Sequence, residues 1–264
     1  MKPPISYYGG KQKMSSRIVA LLPDHHSYVE PFAGGLAVFF KKEPSKVEVI
    51  NDMNRELINF YKVLKHSSRQ LERLLSLTLH SRDLHRQARV VYHNPDMFDP
   101  IRRAWAVWVL ANMSFASQLG DSWGYGVKSS SSTRKIRTRV REFSDHFAER
   151  LQHVQIECTD ALKVIKRRDS TTTLLYCDPP YHNSDCGHYG GYNKQDFEQL
   201  LQELGSLKGK FLLSSYPSPP LREAIKEFGW ESIQHEDQVV VNSRPGTKRK
   251  KKIEVLTANF QLAA

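Results

Sequence analysis

Five short apolar runs, each leading into small, acidic or proline residues, constrain the fold of this chain more than any other feature. The runs cover residues 27–32, 46–52, 154–160, 173–178 and 209–216. Such runs are typical of parallel strands buried on both faces of a sheet. Helical patterns lie between them, at residues 54–65 and at residues 193–207, where Asn193 is a plausible cap. The alternation predicts a doubly wound α/β sheet, whose ligands bind beyond the carboxyl ends of the strands.

Residues 67–147 interrupt this alternation. Asp99 followed by Pro100 is a good helix start, and the nearly all-apolar residues that follow predict a helix from 101 to about 119. The residues that follow, up to Phe143, are rich in Gly, Ser and Arg. We therefore expect an inserted, largely helical subdomain that carries a flexible basic loop.

Two segments hold the excess positive charge of the chain, whose formal net charge is +11. Residues 128–141 and 244–252 each contain six basic residues and no acid, and the rest of the chain is close to neutral. Two concentrated basic segments suit a polyanion that is held at two places. The alternative is solvated loops or, for the second segment, a localisation signal. That second segment lies between two predicted strands within residues 230–260, which we expect to form a long hairpin.

The bulk composition excludes several classes of protein. No apolar run approaches the length of a membrane span, and the N-terminus lacks the apolar core of a signal peptide. The three cysteines Cys158, Cys177 and Cys186 match no zinc spacing. We expect a soluble cytoplasmic protein with reduced thiols and no metal site.

The segment Asp178-Pro179-Pro180-Tyr181 directly follows the fourth apolar run and has the most specific chemistry. An exocyclic amine on an aromatic base is a poor nucleophile, so its methylation needs acceptors aimed at the N–H bonds. Asp178 can supply a carboxylate, and Pro179 a backbone carbonyl that the two prolines hold rigid. Tyr181 can stack on the base, which must leave the duplex to reach such a site. The alternative is an ordinary turn after a strand.

Other motifs are suited to binding a cofactor. The small residues in VEPFAGG, after the first run, let backbone amides approach a ligand. Asp52 could accept hydrogen bonds from ribose hydroxyls, or it could cap the next helix. Lys11, in YYGGK, could pair with a carboxylate. Asp160 could accept from an adenine ring, and a loop cap is an equally good interpretation.

Taken together, these motifs resemble the DNA adenine methyltransferases of the Dam type. The resemblance rests on YYGGK, VEPFAGG, INDMN, TDAL, YCDPPY and LLSSY, followed by a basic segment, in the order and spacing of that family over essentially the whole chain. It implies a seven-stranded Rossmann-like methyltransferase sheet that binds S-adenosylmethionine, formed by residues 1–66 and 148–264. Residues 67–147 would then be the target-recognition subdomain. The insertion, around residues 112–117, does not match that of GATC-specific enzymes, so the target sequence stays open.

The motifs and the resemblance together predict three sets of site residues. The expected catalytic residues are Asp178, Pro179, Pro180 and Tyr181. The expected cofactor-binding residues are Tyr7, Lys11, Glu30, Phe32, Gly34, Asp52, Asp160 and Asp178. The expected DNA-binding residues are Lys128, Arg134, Lys135, Arg137, Arg139, Lys248, Arg249 and Lys250. A loop at residues 183–192 is expected to order over the flipped base.

We therefore expect methyl transfer to N6 of adenine in double-stranded DNA by base flipping and direct in-line attack. No metal is expected, because the sulfonium of the cofactor already activates the methyl group. N4 of cytosine, RNA, and a non-catalytic DNA-binding module remain as alternatives. Asp178, Lys11 and Asp52 argue against the last. The host would be a prokaryotic or phage-infected cell; a companion nuclease and the choice between monomer and weak dimer stay open.

Aromatic residues in the insertion have two possible roles. Trp105 and Trp108, on the long apolar helix, are expected to be subdomain core rather than a base-stacking platform. Trp123 and Tyr125, among glycines beside the basic loop, could stack on DNA or wedge into it, and an arrangement without DNA contact is an equally good interpretation.

Overall fold

The computed structural model describes residues 1–127, 129–181, 192–238 and 251–262. The described residues form seven strands, numbered along the chain: β1 (Ser27–Glu30), β2 (Val47–Asn51), β3 (Gln155–Glu157), β4 (Thr173–Cys177), β5 (Lys210–Ser215), β6 (Glu231–Gln238) and β7 (Lys251–Ala258). They make one mixed sheet in the order β3-β2-β1-β4-β5-β7-β6. Each of the five apolar runs contains one of the first five strands, so the predicted seven-stranded α/β sheet is confirmed.

Strand pairing changes direction along this sheet. β1 pairs parallel with β4, β4 with β5, and β2 with β3. β7 pairs antiparallel with both β5 and β6. The long hairpin expected near the C-terminus is therefore present, with Glu231 opposite Ala258 at its open end. Most of the basic segment between its strands lies outside the described residues, including Lys248, Arg249 and Lys250.

Ten α-helices accompany the strands in the described part of the chain. They are α1 (Ser15–Ala20), α2 (Arg55–His66), α3 (Ser68–Ser76), α4 (Arg82–His93), α5 (Pro100–Met113), α6 (Ser131–Arg141), α7 (His146–Leu151), α8 (Ala161–Arg168), α9 (Lys194–Gly205) and α10 (Pro219–Phe228). The described helices include none that is long and apolar enough to cross a membrane.

The chain divides into two compact units. The first comprises residues 1–20 and 33–159, and the second comprises residues 21–32 and 160–264. The proposed boundaries of an inserted subdomain, at 67 and 147, stay a prediction.

Helix α5 is the centre of the first unit. Asp99 caps it by accepting from the Ile101 and Arg102 amides, and residues 104–113 are all buried. A helix that is apolar on all sides must be covered on all sides, and α2, α3 and α4 pack against it. Trp105 and Trp108 are 1% and 0% exposed, which confirms that they are core residues.

The end of α5 differs from the prediction of a helix to residue 119. The helix ends at Met113, and Ser114 is extended. Ala116 and Ser117 then adopt φ angles of 52° and 61°. Two successive non-glycine residues with positive φ are incompatible with a right-handed helix, so the chain turns away here despite its apolar composition.

The predicted basic loop is also partly wrong, because residues 131–141 form helix α6. Ile136 is buried and Val140, one turn later, is half-buried. This pair gives an apolar contact on one face of an otherwise polar helix, which packs against α3 and α5 within the first unit. Lys128 lies outside the described residues.

Strands β4 and β5 form the core of the second unit. All five residues of β4 are buried, as are the last five of β5, as expected for strands inside a sheet. Helix α9 begins at a capping box in which the Asn193 side chain and the Asp196 side chain each accept a backbone amide of the other. The predicted cap at Asn193 is therefore confirmed.

Candidate active site

In the first unit, Tyr7 packs against the glycines of the turn after β1. A Cβ atom on Gly35 would lie 2.9 Å from Cβ of Tyr7, and one on Gly34 would lie 3.3 Å from its ring. Gly34 also has a φ angle of 47°, which favours glycine. The structure thus brings together the YYGGK motif and the small residues of VEPFAGG, which are distant in the sequence.

Asp52 is tied to the same turn. Its carboxylate accepts from the Gly34 amide at 3.0 Å and from the Asn54 amide at 2.9 Å. Asn54, not Asp52, is the N-cap of α2, because its side chain accepts from the Glu56 and Leu57 amides. The cap interpretation of Asp52 is therefore wrong.

The acceptor capacity of Asp52 exceeds these two bonds. Burial raises the pKa of Asp52 above its ordinary value, while the two amide hydrogen bonds lower it. A carboxylate offers about four lone-pair positions, so two bonds leave it able to accept from a further donor such as a ribose hydroxyl.

Lys11 is the cation of this cluster. It is 6% exposed, and its Nζ donates to the Gly9 carbonyl at 3.1 Å. Gly10 closes the turn by donating to the Tyr7 carbonyl at 3.0 Å, and a Cβ atom on Gly10 would lie 2.8 Å from that oxygen. The buried ammonium of Lys11 suits the carboxylate of S-adenosylmethionine, and the carboxylate of Asp52 suits its ribose. The turn excludes side chains, so it suits a part of the cofactor that contacts the protein backbone.

In the second unit, Asp178 belongs to a polar cluster on one face of the sheet. The Tyr181 hydroxyl lies 3.1 Å from Asp178 Oδ1 and 3.2 Å from Ser214 Oγ, and it donates a short hydrogen bond to Glu254. Ser214 also donates to Glu254 at 3.0 Å. Asp178 itself is half-buried directly after β4, and Pro179 is buried. The four residues 178–181 are thus held at the carboxyl end of a central strand, as predicted.

Tyr181 is a neutral hydrogen-bond donor in this cluster. Burial, and then the charges of Asp178 and Glu254, raise the pKa of Tyr181 well above its ordinary value. Its ring lies against Tyr216, with centroids 4.3 Å apart at 58°. The hydroxyl therefore points into the protein, and one side of the ring is already in contact with another ring.

Strand β1 adds a second carboxylate to the second unit. Glu30 is 2% exposed and accepts from the Tyr28 hydroxyl at 2.6 Å. Burial raises the pKa of Tyr176, and the charges of Asp178 and Glu30 raise it further. The carboxylates at the ends of β4 and β1 therefore act on the same side chain. Phe32 is half-buried two residues beyond Glu30.

Asp160 caps α8 by accepting from the Lys163 amide at 3.0 Å, which confirms the cap interpretation.

Several residues of these clusters are absent from the predicted sets, among them Tyr61, Ser214 and Glu254. Tyr61 of α2 donates to the Gly34 carbonyl at 2.6 Å. Ser214 and Glu254 meet Tyr181 from β5 and β7. A signal existed for Glu254, because it is the one acid of β7 and lies between Ile253 and Val255, and a buried acid on a strand needs a hydrogen-bonding partner. The sequence carries no comparable signal for Tyr61.

The predicted DNA-binding residues within the described part of the chain lie on α6. Arg134, Lys135 and Arg137 are exposed, whereas Arg139 is half-buried. The Arg139 guanidinium donates to the Pro3 carbonyl at 2.7 Å and to Ser6 Oγ at 3.2 Å. Arg139 therefore uses part of its donor capacity on the N-terminal segment, while Arg134 and Arg137 present their charge to solvent. Burial, and then the charge of Arg139, lower the pKa of Lys135, so its ammonium is partly withdrawn from solvent.

An aromatic cluster accompanies these residues in the first unit. The rings of Trp123 and Tyr125 stack with centroids 5.2 Å apart, and the Arg82 guanidinium lies 4.8 Å and 5.4 Å from the two centroids. The His80 ring lies 4.9 Å from that of Trp123. Tyr125 is 56% exposed and Trp123 is half-buried, so Tyr125 is the one with a largely accessible ring. Contact of either ring with DNA stays a prediction.

Comparisons with known proteins agree with these features. A family model described as D12 class N6 adenine-specific DNA methyltransferase matches residues 7–240. The Type II methyltransferase M1.LlaDCHI of Lactococcus lactis subsp. cremoris is 27% identical, over 98% of this chain and 96% of its own length. The DNA adenine methylase of Salmonella typhi is 25% identical, over 97% and 94%. The DNA N-6-adenine-methyltransferase of Escherichia phage P1 is 26% identical over 84% of this chain but 31% of its own, longer sequence.

Proposed function

Because the chain belongs to the D12 class of N6 adenine-specific DNA methyltransferases, we propose that residues 178–181 form its catalytic centre. The reaction is S-adenosylmethionine-dependent methylation of adenine in DNA. The observation that supports this assignment is the position of Asp178, a half-buried carboxylate at the carboxyl end of β4 whose neighbour Pro179 is buried.

Asp178 and the Pro179 carbonyl accept hydrogen bonds from the adenine amine in this proposal. Acceptors aimed at the N–H bonds build electron density on the nitrogen as it attacks, and the two prolines keep the carbonyl in place. Tyr181 and its neighbour Tyr216 offer ring surface to the base. S-adenosylmethionine, when bound, supplies a methyl group activated by its sulfonium, so no covalent enzyme intermediate is needed.

The cofactor is assigned mainly to residues of the first unit. Lys11 pairs with its carboxylate, Asp52 accepts from its ribose, and Tyr7 and Gly34 shape the turn that borders it. In the second unit, Glu30, Phe32, Asp160 and Asp178 complete the proposed set. Asp160 has one carboxylate oxygen engaged by the Lys163 amide, so the adenine ring would use the other.

Double-stranded DNA is the proposed form of the substrate, with the target adenine flipped out of the helix. An amine paired inside a duplex cannot meet acceptors at the end of a sheet strand. Arg134, Lys135, Arg137 and Arg139 on α6 are assigned to phosphates, together with Lys128, Lys248, Arg249 and Lys250 from the undescribed residues. We place the reaction in the cytoplasm of a prokaryotic or phage-infected cell, since relatives occur in Lactococcus and Salmonella and in a phage.

The Asp178→Ala substitution tests the catalytic assignment. We expect transfer of labelled methyl groups to DNA to fall by at least roughly a hundredfold, as when one group that stabilises developing charge is removed. Binding of S-adenosylmethionine, measured by calorimetry, should be partly kept, because Lys11 and Asp52 remain. Asp24→Ala, at an exposed carboxylate of the same unit, is the matched control and should transfer at the wild-type rate. Wild-type activity in the Asp178 variant would contradict the assignment.

A further inference from the structure

Glu254 of β7 is a buried carboxylate for which the catalytic chemistry has no direct use. It is 2% exposed, and it accepts from both Tyr181 and Ser214. Ser214 is 0% exposed. A carboxylate kept this far from water needs strong hydrogen bonds, and here one of its donors is the last residue of the catalytic segment.

The strand register explains why Glu254 faces Tyr181. Ser214 is directly opposite Leu256 across the β5–β7 pair. Side chains alternate along a strand, so Glu254 lies on the same face as Leu256 and Ser214. Tyr176 is opposite Leu212 in the β4–β5 pair, which puts Tyr176 on that face as well. The antiparallel hairpin thus carries an acid from near the C-terminus to the catalytic segment.

The Tyr181 hydroxyl has one proton and two carboxylates within reach. It lies 3.1 Å from Asp178 Oδ1, and it also donates to Glu254. A phenol donates its single proton to one acceptor at a time. Glu254 is 2% exposed and depends on protein donors, whereas Asp178 is only half-buried, so Glu254 is the carboxylate that needs the proton more. The Tyr181 proton is therefore directed to Glu254 and away from Asp178, the carboxylate that has to accept from the adenine amine.

We propose that Glu254 is a positioning residue: by holding the Tyr181 hydroxyl, it fixes the Tyr181 ring and keeps the phenol proton off Asp178. The proposal rests on the assignment of Asp178 as the acceptor for the amine. Without Glu254, the Tyr181 hydroxyl turns to Asp178 and competes with the substrate for that carboxylate.

Single substitutions give the first test, using the full chain and methyl transfer to DNA. Glu254→Ala should lower kcat by roughly tenfold to a hundredfold, the range of a hydrogen bond to a charged group, with little change in the KM for S-adenosylmethionine. Glu254→Gln keeps an acceptor for the phenol and should restore most of kcat. Thr257→Val is the matched control, because Thr257 is buried on the other face of the same strand and should leave kcat unchanged.

A double variant separates positioning from a merely structural role. Tyr181→Phe removes the phenol proton, so Tyr181→Phe/Glu254→Ala cannot mis-donate to Asp178 and should be faster than Glu254→Ala alone. A structural defect would instead make the double variant as slow as, or slower than, either single one. If Glu254→Ala does not fold, as judged by circular dichroism, the comparison of Glu254→Gln with Tyr181→Phe still decides. Glu254→Gln should be the faster of the two, since it keeps both the acceptor and the Tyr181 hydroxyl.

The outcomes distinguish this proposal from the catalytic assignment. Wild-type kcat in Glu254→Ala would overturn the positioning role and leave the role of Asp178 intact. A double variant no faster than Glu254→Ala, or a Gln variant no better than Tyr181→Phe, would overturn it as well. Full activity of Asp178→Ala would overturn the catalytic assignment itself, and with it the reason to keep the phenol proton off Asp178.

Discussion

Tyr7 and Gly35 show how a single missing side chain can shape a binding turn. The two residues are 28 positions apart, yet Cβ of Tyr7 occupies the space that a side chain on Gly35 would need. The same turn presents the Gly34 amide to Asp52, so a shift of Tyr7 or Gly35 would also move the proposed ribose acceptor.

Gly35→Ala is therefore expected to weaken cofactor binding. Overpacking of this kind costs about 1–3 kcal/mol, which corresponds to a rise in the KM for S-adenosylmethionine of about fivefold to a hundredfold. Steady-state kinetics with saturating DNA measures it. Gly120→Ala is the control, since no heavy atom lies within 4 Å of its added Cβ. Unchanged KM in the Gly35 variant would mean that this turn does not border the cofactor.

At this scale, sequence reasoning identified residues whose chemistry is local. Asp178 and Pro179 are adjacent, and Lys11 lies in a glycine motif, so their residue types alone led to the roles proposed for them. Glu254 and Ser214 were missed as site residues because their contact with Tyr181 depends on strand register across 73 and 33 positions. Tyr61 lies on α2, and its hydrogen bond to Gly34 follows from the packing of that helix.

Helix α6 is the element that departs most from its sequence pattern. Its composition is that of a solvated loop, but Ile136 and Val140 are one turn apart and give it an apolar contact. As a helix, it presents Arg134 and Arg137, three residues apart, on neighbouring positions of one exposed surface. The end of α5 was mispredicted because the chain turns at residues that are not glycine. Ala116 and Ser117 have positive φ angles there, and their residue types do not indicate such a turn.

The charge of α6 predicts a measurable salt dependence. Arg134→Gln/Arg137→Gln should weaken DNA binding and flatten the plot of log Kd against log salt by about 1.8, or about 0.9 for each lost phosphate contact. Fluorescence anisotropy with duplex DNA at several salt concentrations measures the slope. Lys163→Gln/Arg167→Gln, an equal charge change on the exposed surface of α8, should leave the slope unchanged. Equal slopes for wild type and the α6 variant would show that α6 does not contact phosphates.

For the whole molecule, the order of motifs was more informative than any one of them. The alternation of apolar runs and helices predicted the sheet because each strand of a doubly wound fold must be buried on both faces. The antiparallel pairing of β7 with β6 also agrees with the predicted hairpin. The division into two compact units was not predictable, because it depends on which distant segments pack together.

Identification of the methylated base tests the central claim most directly. Duplex DNA free of methylation is incubated with the protein and labelled S-adenosylmethionine, then hydrolysed to nucleosides and separated by chromatography. We predict that the label appears in N6-methyldeoxyadenosine with the wild-type chain and is absent with Asp178→Ala. Label in N4-methyldeoxycytidine, or equal labelling of adenine by both proteins, would contradict the account.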